Sequence, residues 1–267
     1  MKKSLSKSIS LSTEYEKTRY NYDNILRSER VYGDGFQSPG GLEGFKTTLY
    51  NHMPDLKGKR VLDLGSGLGG SAIYVAQNAS VEITGVDPAP AMVQLANEQL
   101  KKTATIGSVR FLDGDVFLPS LATSSFDVIY TKDALVYDHN KLKTLKRCFD
   151  LLVPGGQLFI SDFCTVQVSD ELQHYVEVSN YELPTIGEYK SFVQKAAFRV
   201  EAAIDVSKLT LLFLDKDLAL YQIRVSLGFL PASDLDVQHI AERWLRKITF
   251  MRTRNLGQIL IIASKES

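Results

Sequence analysis

From Arg60 onward, short apolar runs alternate with stretches in which apolar residues recur at helical spacing. The runs predict strands at Arg60–Leu64, Val81–Val86, Val109–Leu112, Phe126–Tyr130 and Gln157–Asp162. Between them, helices are expected after a glycine-rich turn and through Ala76, then over Ala89–Lys101 and Lys141–Leu152. A further helix precedes the series over Leu42–His52, with Leu42, Phe45 and Leu49 on one face. Strands that alternate with helices imply an α/β protein whose mostly parallel sheet is covered on both faces.

After Asp162 the rhythm changes. Asp170–Glu177 and Ile186–Ala197 read as helices, Phe198–Asp205 as a strand, Leu211–Leu227 and Asp236–Lys247 as helices, and Gln258–Ala263 as a last strand. The sheet is therefore expected to have seven strands, mixed but mostly parallel, with a helical insertion at 206–254 before the last strand. Residues 1–13 read as a disordered tail. Residues 14–267 read as a single domain, in which 14–41 forms an N-terminal lid segment and the insertion caps the carboxyl edge of the sheet.

Composition narrows the function classes. The 267 residues are 44% hydrophobic and 23% charged, enough to bury a core. Lys plus Arg equal Asp plus Glu at 31 each, so the basic excess of a general nucleic-acid binder is missing. Two cysteines, Cys148 and Cys164, are too few for a disulfide scaffold, and the histidines have no metal-ligand spacing. No apolar stretch follows the basic MKKSLSKSIS opening, and runs such as Leu209–Leu214 are too short to span a bilayer. The expectation is a cytoplasmic protein acting on a small molecule, with no nucleic-acid, membrane or metal partner; its oligomeric state is left open.

The strongest local signal is Val61-Leu62-Asp63-Leu64-Gly65-Ser66-Gly67-Leu68-Gly69-Gly70. An apolar strand runs into glycines that allow a tight turn and a close backbone approach to a ligand. Asp87 closes the next strand, where a carboxylate can accept from two ribose hydroxyls. Asp115, in Asp113-Gly114-Asp115-Val116, can accept from an adenine amino group. The glycines fit the dinucleotide pattern through Gly65, Gly67 and Gly70, and equally a methyltransferase pattern through Gly65, Gly67 and Gly69. Context separates the two. Asp63 can reach the charged ammonium of S-adenosylmethionine, and the Pro154-Gly155-Gly156 turn resembles class I methyltransferases at the matching place. The fold expected is accordingly Rossmann-like, of the class I methyltransferase type, with S-adenosylmethionine as cofactor.

A narrower resemblance spans nearly the whole chain after about residue 20. The segment Ile25-Leu26-Arg27-Ser28-Glu29-Arg30-Val31-Tyr32-Gly33-Asp34-Gly35-Phe36-Gln37-Ser38-Pro39-Gly40-Gly41 is similar to the entry segment of phosphoethanolamine (phosphobase) N-methyltransferases. So are Tyr130-Thr131-Lys132-Asp133-Ala134, Ser161-Asp162-Phe163-Cys164 and Trp244-Leu245-Arg246-Lys247. The resemblance implies that Ser38, Asp63, Gly65, Gly67, Asp87, Asp115 and Lys132 hold the cofactor, with Pro88 and Val116 beside two of these acids. It implies Tyr20 as catalytic tyrosine and Asp133 as the carboxylate facing the substrate amine. Tyr175, Tyr181 and Lys247 match phosphate-binding positions. The chain also departs from the pattern: Tyr137 stands where the family has the histidine partner of its tyrosine, and His139 lies two residues on. Ser179 replaces a phosphate-binding arginine, Phe163 a phosphate-binding tyrosine, and Ser28 another tyrosine.

Three function classes follow. The first is an N-methyltransferase for a phosphobase or related small amine. The second is a methyltransferase for another small N, S or O acceptor, favoured by Ser179, Phe163 and Tyr137. The third is a cofactor-binding relative that has lost its catalytic pair.

Overall fold

The structure, a computed structural model, describes residues 25–26, 29, 35–230 and 235–266, with backbone alone for 235–237. Tyr20, Ser28 and the expected 1–13 tail lie outside the described residues.

Among the described residues, seven strands form one sheet: β1 (Arg60–Leu64), β2 (Glu82–Asp87), β3 (Ser108–Asp113), β4 (Phe126–Lys132), β5 (Leu152–Thr165), β6 (Arg199–Asp205) and β7 (Leu256–Ser264). Their spatial order is β3-β2-β1-β4-β5-β7-β6. β1 to β5 pair in parallel, and β7 runs antiparallel between β5 and β6. From Gly41 onward, the helices among the described residues are α1 (Gly41–Thr48), α2 (Gly70–Asn78), α3 (Pro90–Lys101), α4 (Lys141–Leu151), α5 (Asp170–Val178), α6 (Ile186–Lys195), α7 (Ser207–Ser226) and α8 (Leu235–Arg252).

Alternation along each central strand splits the core in two, as side chains of period two require. Leu62, Ile129, Leu158 and Ile160 face a cluster that includes Leu145 and Cys148 of α4 and Tyr189 and Val193 of α6. Val61, Val128, Tyr130 and Phe159 face the opposite cluster, with Phe45 of α1, Ala72 and Val75 of α2, and Val93 and Ala96 of α3. A third cluster lies outside the sheet layers. There α5, α7 and α8 meet through Leu172, Tyr175, Leu214, Ile240, Trp244, Ile248 and Met251, and Val136 and Phe163 join them from the ends of the strands.

Several sequence-based boundaries shift by a few residues: the helix expected over 42–52 ends at Thr48 and gives way to a 3-10 turn at Tyr50–His52, and three other shifts have a local cause. α7 begins at Ser207, four residues before the expected start; Asp205, just outside the Val206 cap, accepts the Ser207 N–H at 2.9 Å and satisfies one of the helix's free first-turn donors. α8 continues past Lys247 because Ile240, Trp244, Ile248 and Met251 keep one face buried. β5 begins at Leu152: Phe126 pairs with Leu152 and Val128 with Gln157, so the expected Pro154–Gly156 turn is an irregularity within the strand.

Candidate active site

Parallel α/β sheets bind ligands beyond the carboxyl ends of their strands, where neighbouring connections diverge. Here β1 is flanked by β2 and β4, and a cavity of about 520 Å³ opens beyond those strand ends.

One end of the cavity is the glycine loop between β1 and α2. The Gly65 and Ser66 N–H groups both donate to the Val86 carbonyl, at 2.9 and 3.0 Å, which folds the loop back onto β2. Gly65 has φ +77°, and a Cβ there would lie 2.3 Å from the Ala134 Cβ; only glycine lets the loop and the β4 end approach so closely. Gly67, at φ +52°, has nothing within 4 Å of an ideal Cβ, so its Cα face is an open cradle. The loop is thus packed from behind and open in front, the form a backbone-contacting ligand needs.

Two carboxylates flank it. Asp63 is 2% exposed and accepts from the Ser71 hydroxyl at 2.7 Å and the Tyr130 hydroxyl at 2.8 Å, both on Oδ2. Burial pushes its pKa up to about 7; the two hydroxyls pull the other way and Asp87 adds to the rise. Asp87 Oδ2 accepts the Gly67 N–H at 2.9 Å and its Oδ1 the Ala89 N–H at 3.0 Å, while burial holds its pKa above the usual carboxylate value. The loop and the Asp87 carboxylate therefore fix one another. Pro88, next in the chain, also lines the cavity. The Gly70 N–H donates to Gly35 at 3.3 Å, which draws the segment carrying Phe36 and Ser38 over the loop as a second wall.

The far end is built by the residues after β4 and by the outer helices. Asp133 sits in the left-handed region at φ 55°, and its N–H donates to the Ser161 carbonyl at 2.9 Å. Its carboxylate is gripped twice, by Lys132 Nζ on Oδ2 at 2.9 Å and by Gln258 Nε2 on Oδ1 at 2.8 Å. Tyr137 and Tyr181 meet edge to face with centroids 5.1 Å apart, and their hydroxyls are 3.5 Å apart. Lys247 of α8 brings Nζ to 4.1 Å from the Phe163 ring centroid, a cation–π contact.

The expected site residues divide cleanly. Ser38, Asp63, Gly65, Gly67, Asp87, Pro88, Lys132, Asp133, Tyr137, Phe163, Tyr181 and Lys247 line the one cavity. Asp115, Val116, His139, Tyr175 and Ser179 are not in its lining. Asp115 is exposed and accepts the Phe117 N–H at 2.8 Å, a local turn bond, while Val116 packs in the core. His139 is half exposed, with Nδ1 3.6 Å from Glu182. Tyr175 packs edge to face behind Tyr181, at 5.7 Å between centroids. Ser179 is buried at the end of α5, where its N–H donates to the Tyr175 carbonyl.

Sequence reasoning passed over Tyr130, Ser71 and Gln258. The available signal was a polar residue inside an apolar strand, in Val128-Ile129-Tyr130 and again in Gly257-Gln258-Ile259. A buried polar group needs a partner, and a partner at a strand end lies near the ligand crevice.

The sheet order and the glycine loop at its carboxyl edge are those of the class I methyltransferase fold. The methyltransferase-domain family matches residues 55–210. Phosphoethanolamine N-methyltransferase from Plasmodium falciparum is 30% identical over 200 residues, covering 73% of this chain and 74% of that protein. The phosphoethanolamine N-methyltransferase of Triticum aestivum is 34% identical over 209 residues, covering 76% of this chain and 40% of the relative. Haemonchus contortus phosphoethanolamine N-methyltransferase 2, solved with phosphomonomethylethanolamine and S-adenosylhomocysteine, superposes with a TM-score of 0.86 at 22% identity, covering 95% of this chain and 59% of that one. The chain belongs to the phosphoethanolamine N-methyltransferase family. It spans about two-fifths of the wheat relative's length.

Proposed function

We propose that this chain is an S-adenosylmethionine-dependent methyltransferase acting on a small amine of the phosphobase type, phosphoethanolamine or its partly methylated forms. The supporting observation is that a single cavity joins the glycine loop, Asp63 and Asp87 at one end to Asp133, Tyr137, Tyr181 and Lys247 at the other. Donor and acceptor sites must share one space for an in-line transfer, because the acceptor lone pair has to reach the methyl carbon directly.

When bound, S-adenosylmethionine supplies a methyl carbon whose bonding pair to sulfur leaves with the sulfur. The residues present fit that group. The open face of Gly67 admits an adenosyl moiety against backbone, and Asp87 at the end of β2 is placed for ribose hydroxyls. Both hydroxyls on Asp63 converge on Oδ2, so Oδ1 is the oxygen left for an ammonium.

An alkylamine with a pKa of about 10 must lose a proton before it can attack, at a cost of about 4 kcal/mol at pH 7. Asp133 accepts from the acceptor N–H and sets the direction of the nitrogen lone pair. As a carboxylate it favours the ammonium, so it orients the nitrogen and leaves the proton to another group. That group is Tyr20 acting with Tyr137, which lines the cavity where His139 does not. The helical insertion at 206–254 serves as the cap through which Lys247, over the Phe163 ring, supplies positive charge to the phosphate. A cytoplasmic location belongs to the same reading and is supported by Cys148 and Cys164, buried free thiols whose pKa values burial pushes up to about 12 and which a reducing compartment would suit.

A second reading rests on the cations. Among the described residues the cavity lining carries Lys132 and Lys247 and no arginine, and Lys132 is already paired with Asp133. Two lysines, one of them held by Asp133, are a light counter-charge for a dianion, which favours a small amine with a weaker anionic group. Turnover measured by S-adenosylhomocysteine release separates the two. Phosphoethanolamine turning over better than amines bearing a carboxylate or no anion supports the first reading, and the reverse order supports the second. Silence on all of them would overturn both.

A further inference from the structure

Gln258 is fully buried on β7, where Leu256, Ile259, Leu260 and Ile261 are buried apolar residues. It pairs across the sheet with Phe163 of β5. Its backbone is fixed at the root of α7: its N–H donates to the Ser207 hydroxyl at 2.9 Å, and its carbonyl accepts the Val206 N–H at 2.9 Å. Its side-chain amide donates to Asp133 Oδ1 at 2.8 Å and to the Ser161 hydroxyl at 3.2 Å. The amide orientation follows from this arrangement, because a flipped amide would set Oε1 against the carboxylate.

The acceptor half of the amide gains nothing in return. Gln258 Oε1 is buried and has no hydrogen-bond partner. An orphaned buried acceptor is costly, and an apolar residue of similar volume would avoid that cost. The two N–H groups are what this position contributes, and one of them goes to the carboxylate on the cavity wall.

Lys132 alone would leave that carboxylate free to pivot about its ion pair. A second donor on the other oxygen fixes its plane. Because the second donor is neutral, it fixes the carboxylate without cancelling the negative charge that an amine N–H requires. Ser161 completes the frame, its carbonyl accepting the Asp133 N–H and its hydroxyl taking the other amide N–H of Gln258.

We propose that Gln258 is a positioning residue for methyl transfer, holding the Asp133 carboxylate in the orientation that aims the acceptor amine. The inference rests on the function proposed above, and it acts through Asp133, since Gln258 itself does not line the cavity.

Two variants test it in the full-length chain. Gln258→Met keeps the volume and removes the donors. With phosphoethanolamine, its kcat is expected to fall about 10- to 100-fold, the usual effect of losing a hydrogen bond to a charged group, and more than KM changes. Affinity for S-adenosylhomocysteine and the melting temperature should stay near those of the unaltered protein, which separates positioning from misfolding.

Gln258→Glu is nearly isosteric and brings in a proton dependence. Protonated, it can still donate to Asp133; ionised, it sets carboxylate against carboxylate. Charged and titratable groups on the packed elements include Lys132 and Asp133 of the β4 end, Asp162 and Cys164 of β5, Arg199, Glu201 and Asp205 of β6, and Lys208, Asp215, Lys216 and Asp217 of α7. The kcat of Gln258→Glu divided by that of the unaltered protein should therefore fall at least about tenfold between pH 6 and 9, while the same ratio for Gln258→Met stays flat. Taking the ratio removes the pH dependence of the amine itself. Gln258→Met with unaltered kcat, or a flat ratio for Gln258→Glu, would overturn the inference and leave the substrate reading standing. Absence of turnover by the unaltered protein on every amine tried would overturn both.

Discussion

The Asp217 carboxylate, on α7, accepts the Gly40 N–H at 2.8 Å at the entry to α1. The two residues belong to segments far apart in sequence, and Gly40 makes the contact possible. It has φ +76°, and a Cβ there would lie 2.6 Å from the Phe213 ring. Burial raises the Asp217 pKa, and the Gly40 bond and the nearby Lys216 and Lys132 lower it. The bond thus joins the 206–254 insertion to the wall that carries Ser38. Asp217→Ala is expected to weaken S-adenosylhomocysteine binding about tenfold, the scale of one lost charge-assisted hydrogen bond. Asp217→Asn keeps an acceptor oxygen and should lose less. Calorimetric titration of both variants checks the order.

The carboxyl of Asp63 should make cofactor binding depend on pH. Its pKa in the folded protein is about 7, raised by burial above its ordinary 3.8. The folded state therefore holds a proton there that the unfolded chain gives up, and this group's contribution to stability falls as pH rises from about 4 to about 7. A ligand ammonium favours the ionised form and must expel that proton below about pH 7. Affinity for S-adenosylhomocysteine is expected to climb between pH 5.5 and 8, by up to about tenfold per unit on the acid side, with proton release on binding. Asp63→Asn should bind more weakly and lose that slope. Titration in buffers of different ionisation enthalpy measures both quantities.

Two glycines of the loop should respond differently to alanine. At Gly69, φ is +79° and a Cβ would lie 2.4 Å from the Phe111 ring and 3.1 Å from the Ala96 Cβ, so both backbone and packing resist. At Gly67, φ is +52° and the space is open. Gly69→Ala is expected to cost about 2–4 kcal/mol of stability, combining left-handed strain with overpacking. Gly67→Ala should cost only about 1 kcal/mol of stability, yet reduce cofactor-product affinity because its methyl enters the cradle. Denaturant unfolding and calorimetry on the same two proteins separate the effects.

How legible the chain was depends on the range of the interaction. The strand–glycine–helix unit at 61–78 is local, and the alternation of Val61, Leu62 and Leu64 and the loop glycines carry it in sequence. Asp63, Asp87 and Asp133 were readable because each stands at a strand end, and parallel topology sends strand ends to one edge. Of the residues that were missed, Tyr130 and Gln258 act across the sheet, while Ser71 reaches Asp63 from the first turn of α2. Gln258 reaches Asp133 because β7 returns antiparallel beside β5, and the register that pairs Gln258 with Phe163 is not written in either strand alone. The distinction between Tyr137 and His139 was likewise beyond the sequence. Residues 135–137 form a short 3-10 turn that buries Leu135 and Val136, and the turn leaves Tyr137 toward the cavity while His139 comes out toward Glu182.

A buried pair, Tyr189 and Asp162, lies behind the site. Tyr189, wholly buried on α6, donates its hydroxyl to the Asp162 carboxylate, and the Phe163 N–H donates to the other oxygen at 3.0 Å. Burial first, and then the Asp133 charge, hold the Asp162 carboxyl far above the usual carboxylate range; Tyr189, Lys141 and the Phe163 N–H pull it down. Lys141 is itself lowered by burial, and its ammonium is engaged by the carbonyls of Asp138 and Glu182 at 2.8 and 2.7 Å. Tyr189→Phe keeps the ring in the core and removes the donor that favours the charged carboxylate. At pH 5, where the folded protein keeps Asp162 protonated, the loss is that of a neutral hydrogen bond, about 1 kcal/mol. At pH 8 the ionised carboxylate loses a charge-assisted bond, about 2–3 kcal/mol. The gap in melting temperature between the variant and the unaltered protein should therefore widen as pH rises, by a few degrees over this interval. A gap that is constant from pH 5 to 8 would mean that Asp162 does not change its charge in the folded protein across that range.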